Sequence, residues 1–127
     1  MKLKRLLEWV ETDKVFCRSF PTEERADAAM DRRDKPATEQ AWQRAHAAVK
    51  ERLTAFESSP DLQVIEAIAR AAFRRSFGAT LQHDDLAAQV SDDMRLLAEA
   101  ELTGYRSKML EALQAAYVRG VFLTDLA

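Results

Sequence analysis

Residues 61–78 read DLQVIEAIARAAFRRSFG, and apolar side chains recur in this stretch at spacings of three and four. The apolar arc that this spacing draws around a helix is broad, so the stretch predicts the most buried helix of the protein. Ser59 precedes it as a capping residue, Pro60 suits the first helical position, and Gly78 suits the far end. The stretch therefore predicts a helix with marked ends.

Three further helical patterns flank this stretch. They run from about Pro36 to Glu57, from about residue 82 to Thr103, and from Tyr105 to near Phe122. In the second pattern, Ser91-Asp92-Asp93 would equally suit the start of a shorter helix. The sequence therefore leaves open whether this pattern forms one helix or two. Gly120 falls inside the last pattern, where glycine weakens a helix and indicates a close helix contact or fraying.

The N-terminal part predicts two smaller helices. The first has leucine and valine at i, i+3, i+4 and i+7 within residues 3–10, and we expect it to dock on the protein's own core rather than on a membrane surface. The second begins after the capping residue Thr22, ends near Arg33 and is rich in alanine. Because this second helix offers little to bury, we expect it to be peripheral, with residues 1–35 as a peripheral N-terminal arm of the domain. Between the two helices, Val15, Phe16 and Cys17 indicate an irregular or short extended link.

The chain contains no alternating pattern that would indicate a strand. Short connections between consecutive long helices favour antiparallel neighbours. We therefore expect an all-α fold, an up-and-down bundle of about four main helices with one or two shorter N-terminal helices. At 127 residues the chain predicts a single domain, 1–127.

Composition narrows the possible classes of protein. Hydrophobic residues make up 47% of the chain and charged residues 31%, which is too apolar for a disordered protein. The net charge of −2 gives no general attraction to nucleic acid or anionic membranes. A single cysteine, Cys17, excludes an internal disulfide and favours the cytoplasm. No apolar run is long enough to span a membrane.

One catalytic hypothesis rests on the adjacent His83 and Asp84. With His46 upstream and Asp125 downstream, they resemble the ligand pattern of the HD-type metal-dependent phosphohydrolases, which are all-helical. That resemblance implies a divalent metal that activates water. The chain departs from the pattern after the pair, where residues 85–88 replace a small glycine-containing turn. We therefore interpret His83 and Asp84 as a solvated helix start and expect no metal and no cofactor.

Two other enzyme classes lack the residues they need. A helical di-metal carboxylate site requires Glu-x-x-His, and this spacing does not occur in the chain. A cysteine nucleophile requires a base, and Cys17 has no histidine near it in sequence. We interpret Cys17 as a small, half-buried hydrophobic residue.

A nucleic-acid-binding regulator is a second alternative. Arg70 and Arg74 share a helix face, and residues 73–78 locally resemble the tail of some helix-turn-helix regulators. The helix that follows carries Asp84 and Asp85, however, and these carboxylates would meet the phosphates. We therefore expect no nucleic-acid partner.

The charge of residues 84–101 is the remaining clue to function. This stretch contains six acidic residues and a single basic residue, Arg95, while the helices on both sides of it are basic. Ion pairs between neighbouring helices explain this pattern without a partner. Alternatively, the acidic face stays open and steers a basic protein toward it.

Our leading hypothesis is a small non-catalytic helical protein that acts through protein contacts. It would either self-associate, plausibly as a homodimer, or serve as an adaptor, inhibitor or immunity-type partner of another protein. The candidate interface combines the N-terminal apolar side chains with the acidic face: Leu3, Leu6, Leu7, Trp9, Phe16, Asp84, Asp85, Asp92 and Asp93.

Overall fold

The computed structural model describes residues 2–14, 16, 23–80 and 82–127, and all regular secondary structure in these ranges is helical. Six α-helices and one short 3-10 helix are found there. They are α1 (Leu3–Thr12), α2 (Glu23–Arg33), α3 (Pro36–Leu53), the 3-10 helix (Thr54–Phe56), α4 (Asp61–Ala79), α5 (Asp84–Thr103) and α6 (Lys108–Val118). The predicted all-α helical bundle is confirmed for this part of the chain.

The bundle is built around α5. This helix packs antiparallel to α4 in the most extensive contact of the fold, and it also contacts α1, α2, α3 and α6. Val90, Met94 and Leu96 of α5 are among the side chains that solvent does not reach. A helix with neighbours on several sides buries most of its circumference, which is why α5 forms the centre of the core.

The prediction that α4 is the most buried helix is wrong. Ten residues of α5 are buried, compared with six residues of α4. Phe73 and Phe77 of α4 are only half-buried, and their rings stack on each other 5.6 Å apart. The broad apolar arc of α4 therefore includes two aromatic rings that remain partly exposed.

Residues 84–103 form one helix, which settles the alternative that the sequence left open. Ser91 does not cap a second helix, because its hydroxyl donates a 2.8 Å hydrogen bond across to the carbonyl of Ala69 on α4. The helix begins after His83, whose Nδ1 accepts a 3.1 Å hydrogen bond from the backbone N–H of Leu86. It ends at Gly104, which takes the left-handed conformation with φ at 74°.

The other helix ends lie close to the predicted positions, with two differences. Ser59 Oγ accepts a 3.2 Å hydrogen bond from the N–H of Asp61, the first residue of α4, although the N-cap position itself is taken by Pro60. Gly78 lies inside the last turn of α4 rather than beyond it. The last helix ends at Val118 instead of near Phe122, and Gly120, with φ at 72°, follows the helix end rather than interrupting the helix.

The N-terminal residues are part of the core. Leu6 and Val10 of α1 are buried, and α1 packs on α4. Phe16 is also fully buried, with its ring centroid 5.2 Å from that of Trp9. The prediction of a peripheral arm over residues 1–35 therefore does not describe α1. The expected cap at Thr22 and the link through Val15 and Cys17 lie outside the described residues.

Candidate functional site

A buried charge network lies where α2, α3, α5 and α6 meet. Asp93 of α5 is inaccessible to solvent, and Arg33 at the end of α2 donates two parallel hydrogen bonds to its carboxylate, at 2.9 and 2.8 Å. Trp42 of α3 and Gln89 of α5 each donate a 2.9 Å hydrogen bond to the same carboxylate, and Tyr117 of α6 donates one at 2.6 Å. Asp93 therefore accepts five hydrogen bonds that tie four helices together.

Arg33 also holds the C-terminal segment. Its Nε donates a 2.9 Å hydrogen bond to the carbonyl of Leu123, and its guanidinium lies 4.5 Å from the centre of the Phe122 ring. All three kinds of guanidinium nitrogen are thereby engaged, and the aromatic ring covers one face. Arg33 therefore connects the residues after α6 to the end of α2.

Arg33 remains charged within the network although it is buried. Burial alone would lower the pKa of Arg33, but the adjacent Asp93 carboxylate outweighs it and the pKa is raised. The pKa of the Tyr117 phenol is raised well above its ordinary value, first by burial and then by Asp93. Tyr117 therefore remains a hydrogen-bond donor at neutral pH.

A small cavity of about 140 Å³ opens above this network. Three carboxylates line it, and each comes from a different segment: Asp34 follows α2, Glu39 lies in the first turn of α3, and Asp92 lies on α5. All three are exposed. We call this feature the acidic cleft; its other lining residues are Arg33, Trp42, Gln43 and Gln89.

The charge of the acidic cleft is negative at neutral pH. Arg33 is the positively charged residue that lines the cleft, and the buried carboxylate of Asp93 compensates the charge of Arg33. The pKa of Asp92 is raised by partial burial and by the neighbouring Asp93. Trp42 forms one wall and is held in place by its bond to Asp93 and by stacking on His46, with ring centroids 5.0 Å apart. The cleft thus combines fixed negative charge with an oriented aromatic side chain.

The structure separates the predicted interface residues into three groups. Leu6, Phe16 and Asp93 are buried within the chain's own fold. Leu3, Leu7 and Trp9 are partly buried against the core, as the expected docking of the first helix requires. Asp84, Asp85 and Asp92 are exposed, and Asp92 is the one that lines the acidic cleft.

The residues that resembled a metal-ligand pattern have other partners. His83 caps α5 through Nδ1, and its Nε2 lies 2.7 Å from Asp27 of α2. His46 stacks on Trp42, and a carboxylate oxygen of Asp125 accepts a 3.1 Å hydrogen bond from the N–H of Ala127. Within residues 2–14, 16, 23–80 and 82–127, no group of three or more His, Cys, Asp or Glu side chains is placed to hold a metal ion.

Sequence reasoning missed several residues of this site. No pattern in the sequence gave Arg33, Asp34 or Glu39 a role in a site. Asp27, Asp31 and Asp34 recur at i, i+4 and i+7, which places them on one face of a helix and was a usable signal. That Asp34 lies beside Asp92 of α5 depends on tertiary packing, which the spacing alone does not reveal.

Comparison with known proteins assigns the chain to a family. A family model described as Immunity protein PIM1 matches residues 5–123, a range that includes most of α1 and all of α2 to α6. No curated protein and no solved structure matches the chain. None of the helices in the described part of the chain is long and apolar enough to cross a membrane.

Proposed function

Because the chain belongs to the Immunity protein PIM1 family, we propose that it binds a toxic protein and blocks its action. The family supports an immunity-type role that depends on protein–protein contact. The match over residues 5–123 is the observation that carries the proposal. The chain would act by occupying a surface of the toxin rather than by catalysing a reaction. Such a role needs a rigid, chemically distinct surface, and the acidic cleft offers one.

We assign the first contact to the acidic cleft and to the exposed acidic residues beside it. Asp34, Glu39 and Asp92 converge on one opening, so a basic segment of the toxin would meet three carboxylates at once. Complementary charge of this kind increases the association rate and fixes orientation more than it adds affinity. Asp84 and Asp85, at the start of α5, extend the negative surface.

Trp42 gives the cleft an apolar anchor. Buried aromatic side chains near the centre of an interface often dominate its binding energy. The indole is already oriented by Asp93 and His46, so little side-chain entropy remains to be lost on binding. The buried network therefore supports the surface above it.

The function is tested by growth rescue. The chain is used to isolate its partner from the source cell, and the partner is then produced in a host with and without this chain. We expect the partner alone to arrest growth and the wild-type chain to restore it. If the partner is harmless, or if growth is not restored, the proposed function is wrong. Light scattering of the isolated chain tests self-association separately.

The surface is tested by removing charge at the cleft. We expect the triple variant D34N/E39Q/D92N to lower the association rate at low salt by about tenfold, because steering by charge is lost. The matched control E8Q/E51Q/E57Q removes the same charge at exposed positions that do not line the cleft. Equal rates for the two triple variants would show that the partner binds elsewhere.

A further inference from the structure

A second cavity lies on the α4 side of α5. It measures about 320 Å³ and is lined by Ala69, Arg70, Phe73, Arg74, Ser91 and Arg95. We call it the arginine groove. Its floor is fixed, because the hydrogen bond from Ser91 to the carbonyl of Ala69 holds the two helices together beneath it.

Two of the three arginines in the groove have no carboxylate of the described residues bonded to them. Arg95 is paired with Glu66 of α4. Arg70 and Arg74 lie one helical turn apart and are exposed, and within the described part of the chain neither forms an ion pair. Phe73 lies in the same groove and stacks on Phe77. The groove therefore offers two guanidinium groups beside an aromatic surface.

The arginine groove and the acidic cleft flank the same ridge of α5. Ser91 and Arg95 line the groove, while Gln89 and Asp92 line the cleft. At 100° per residue, Ser91 and Gln89 stand about 160° apart around the helix, with Arg95 and Asp92 between them. A surface with opposite charges on the two sides of one helix can accept a complementary partner in only one orientation.

We propose that the arginine groove binds an acidic segment of a partner protein. Aspartate or glutamate side chains of that segment would pair with Arg70 and Arg74, and an adjacent apolar side chain would lie on Phe73. One part of this proposal rests on the proposed function, namely that the partner is the same toxin that binds the acidic cleft. The chemistry of the groove does not depend on it.

A protein segment suits the groove better than a nucleic acid does. Phosphate backbones are bound by several cations in a row, each contributing to the salt dependence. Here two guanidiniums stand next to the acidic residues of α5, and Asp84, Asp85 and Asp92 would repel a continuous polyanion. A short segment with a few carboxylates avoids that repulsion.

The groove can be tested on the isolated chain by titration observed by NMR. The probes are a short peptide of glutamate and leucine, the same peptide with lysine in place of glutamate, and a single-stranded oligonucleotide. We expect the acidic peptide alone to shift the amide signals of Arg70, Phe73, Arg74, Ser91 and Arg95. If it leaves these signals unmoved, or if the oligonucleotide binds there more tightly, the proposal is wrong.

A matched pair of variants distinguishes the groove from general positive charge. R70Q/R74Q should weaken binding of the acidic peptide by about tenfold, equivalent to about 1.4 kcal/mol. R5Q/R119Q removes the same charge from exposed positions on other elements and should bind as the wild type does. Since this titration needs no toxin, its failure is distinct from a failure of growth rescue. If the groove binds the peptide but the chain does not rescue growth, only the proposed action against a toxin is wrong.

Discussion

Arg33 and Asp93 lie 60 positions apart in the sequence and meet inside the fold through two parallel hydrogen bonds of 2.9 and 2.8 Å. Both side chains are almost completely buried. The pair connects the end of α2 to the middle of α5, and each partner has further bonds that satisfy its remaining polar atoms. A buried pair that is fully bonded in this way is costly to break from one side only.

Replacing Asp93 by asparagine should destabilise the protein strongly. The variant leaves the buried Arg33 charge without its counter-charge, and we expect the free energy of unfolding to fall by about 3 to 5 kcal/mol. Urea unfolding followed by circular dichroism measures this loss. Asp92→Asn is the matched control, because its side chain is exposed, and it should change stability by less than about 0.5 kcal/mol. If the two variants lose the same stability, Asp93 is not the centre of the network.

Replacing Arg33 by lysine should loosen the C-terminal segment. Lysine keeps the charge but lacks the planar fork that bonds Asp93 and the carbonyl of Leu123 together. We expect faster hydrogen exchange at the amides of residues 122–127 and a loss of stability of about 2 kcal/mol. The control is Arg32→Lys at the exposed neighbouring position. Unchanged exchange in the Arg33 variant would mean that other contacts hold the segment.

Two glycines should respond in opposite directions to substitution by alanine. Gly104 ends α5 with φ at 74°, a conformation that a side chain disfavours, so Gly104→Ala should cost about 1 kcal/mol. Gly78 lies within α4, and an added Cβ would meet no atom within 4 Å. Gly78→Ala should therefore stabilise the protein by up to about 1 kcal/mol. Thermal unfolding of both variants measures the difference, and shifts of the same sign would contradict this account.

The sequence predicts the helices because their signals are local. The spacing of apolar residues gives α3, α4 and α5. Ser59 accepts a hydrogen bond at the start of α4, and Gly104, which has no side chain, takes the left-handed conformation at the end of α5. These patterns do not say which helix lies in the centre. Which of α4 and α5 is more buried depends on how many neighbours each has, and α5 contacts each of the other five α-helices in the described part of the chain.

The candidate site was harder to predict because its residues come from separate segments. Asp92 and Asp93 are adjacent in sequence, yet one is exposed in the cleft and the other is buried beneath it. A helical turn of 100° per residue allows this, but the direction of the core must be known first. Arg33 likewise looks like an ordinary charge at a helix end until the partner 60 positions away is seen.

Glu99 should make the stability of the protein depend on pH. It is buried in α5, and its Oε1 has no hydrogen-bond partner in the described part of the chain. Burial raises the pKa of Glu99 above its ordinary value of 4.5, and Lys50 opposes this only in part. The folded state therefore holds this proton more tightly than the unfolded chain does, so stability is lost as the pH rises from about 4.5 through the folded pKa.

Glu99→Gln should remove this loss, because glutamine carries no charge to desolvate. At pH 7 we expect the variant to be more stable than the wild type by about 1 kcal/mol, and the difference to vanish below about pH 4. Urea unfolding across this pH range measures both curves. Glu57→Gln, at an exposed position, serves as the control and should follow the wild-type curve. A Glu99→Gln variant that loses stability at pH 7 would show that attraction from Lys50 and Arg95 outweighs the cost of burying the carboxylate.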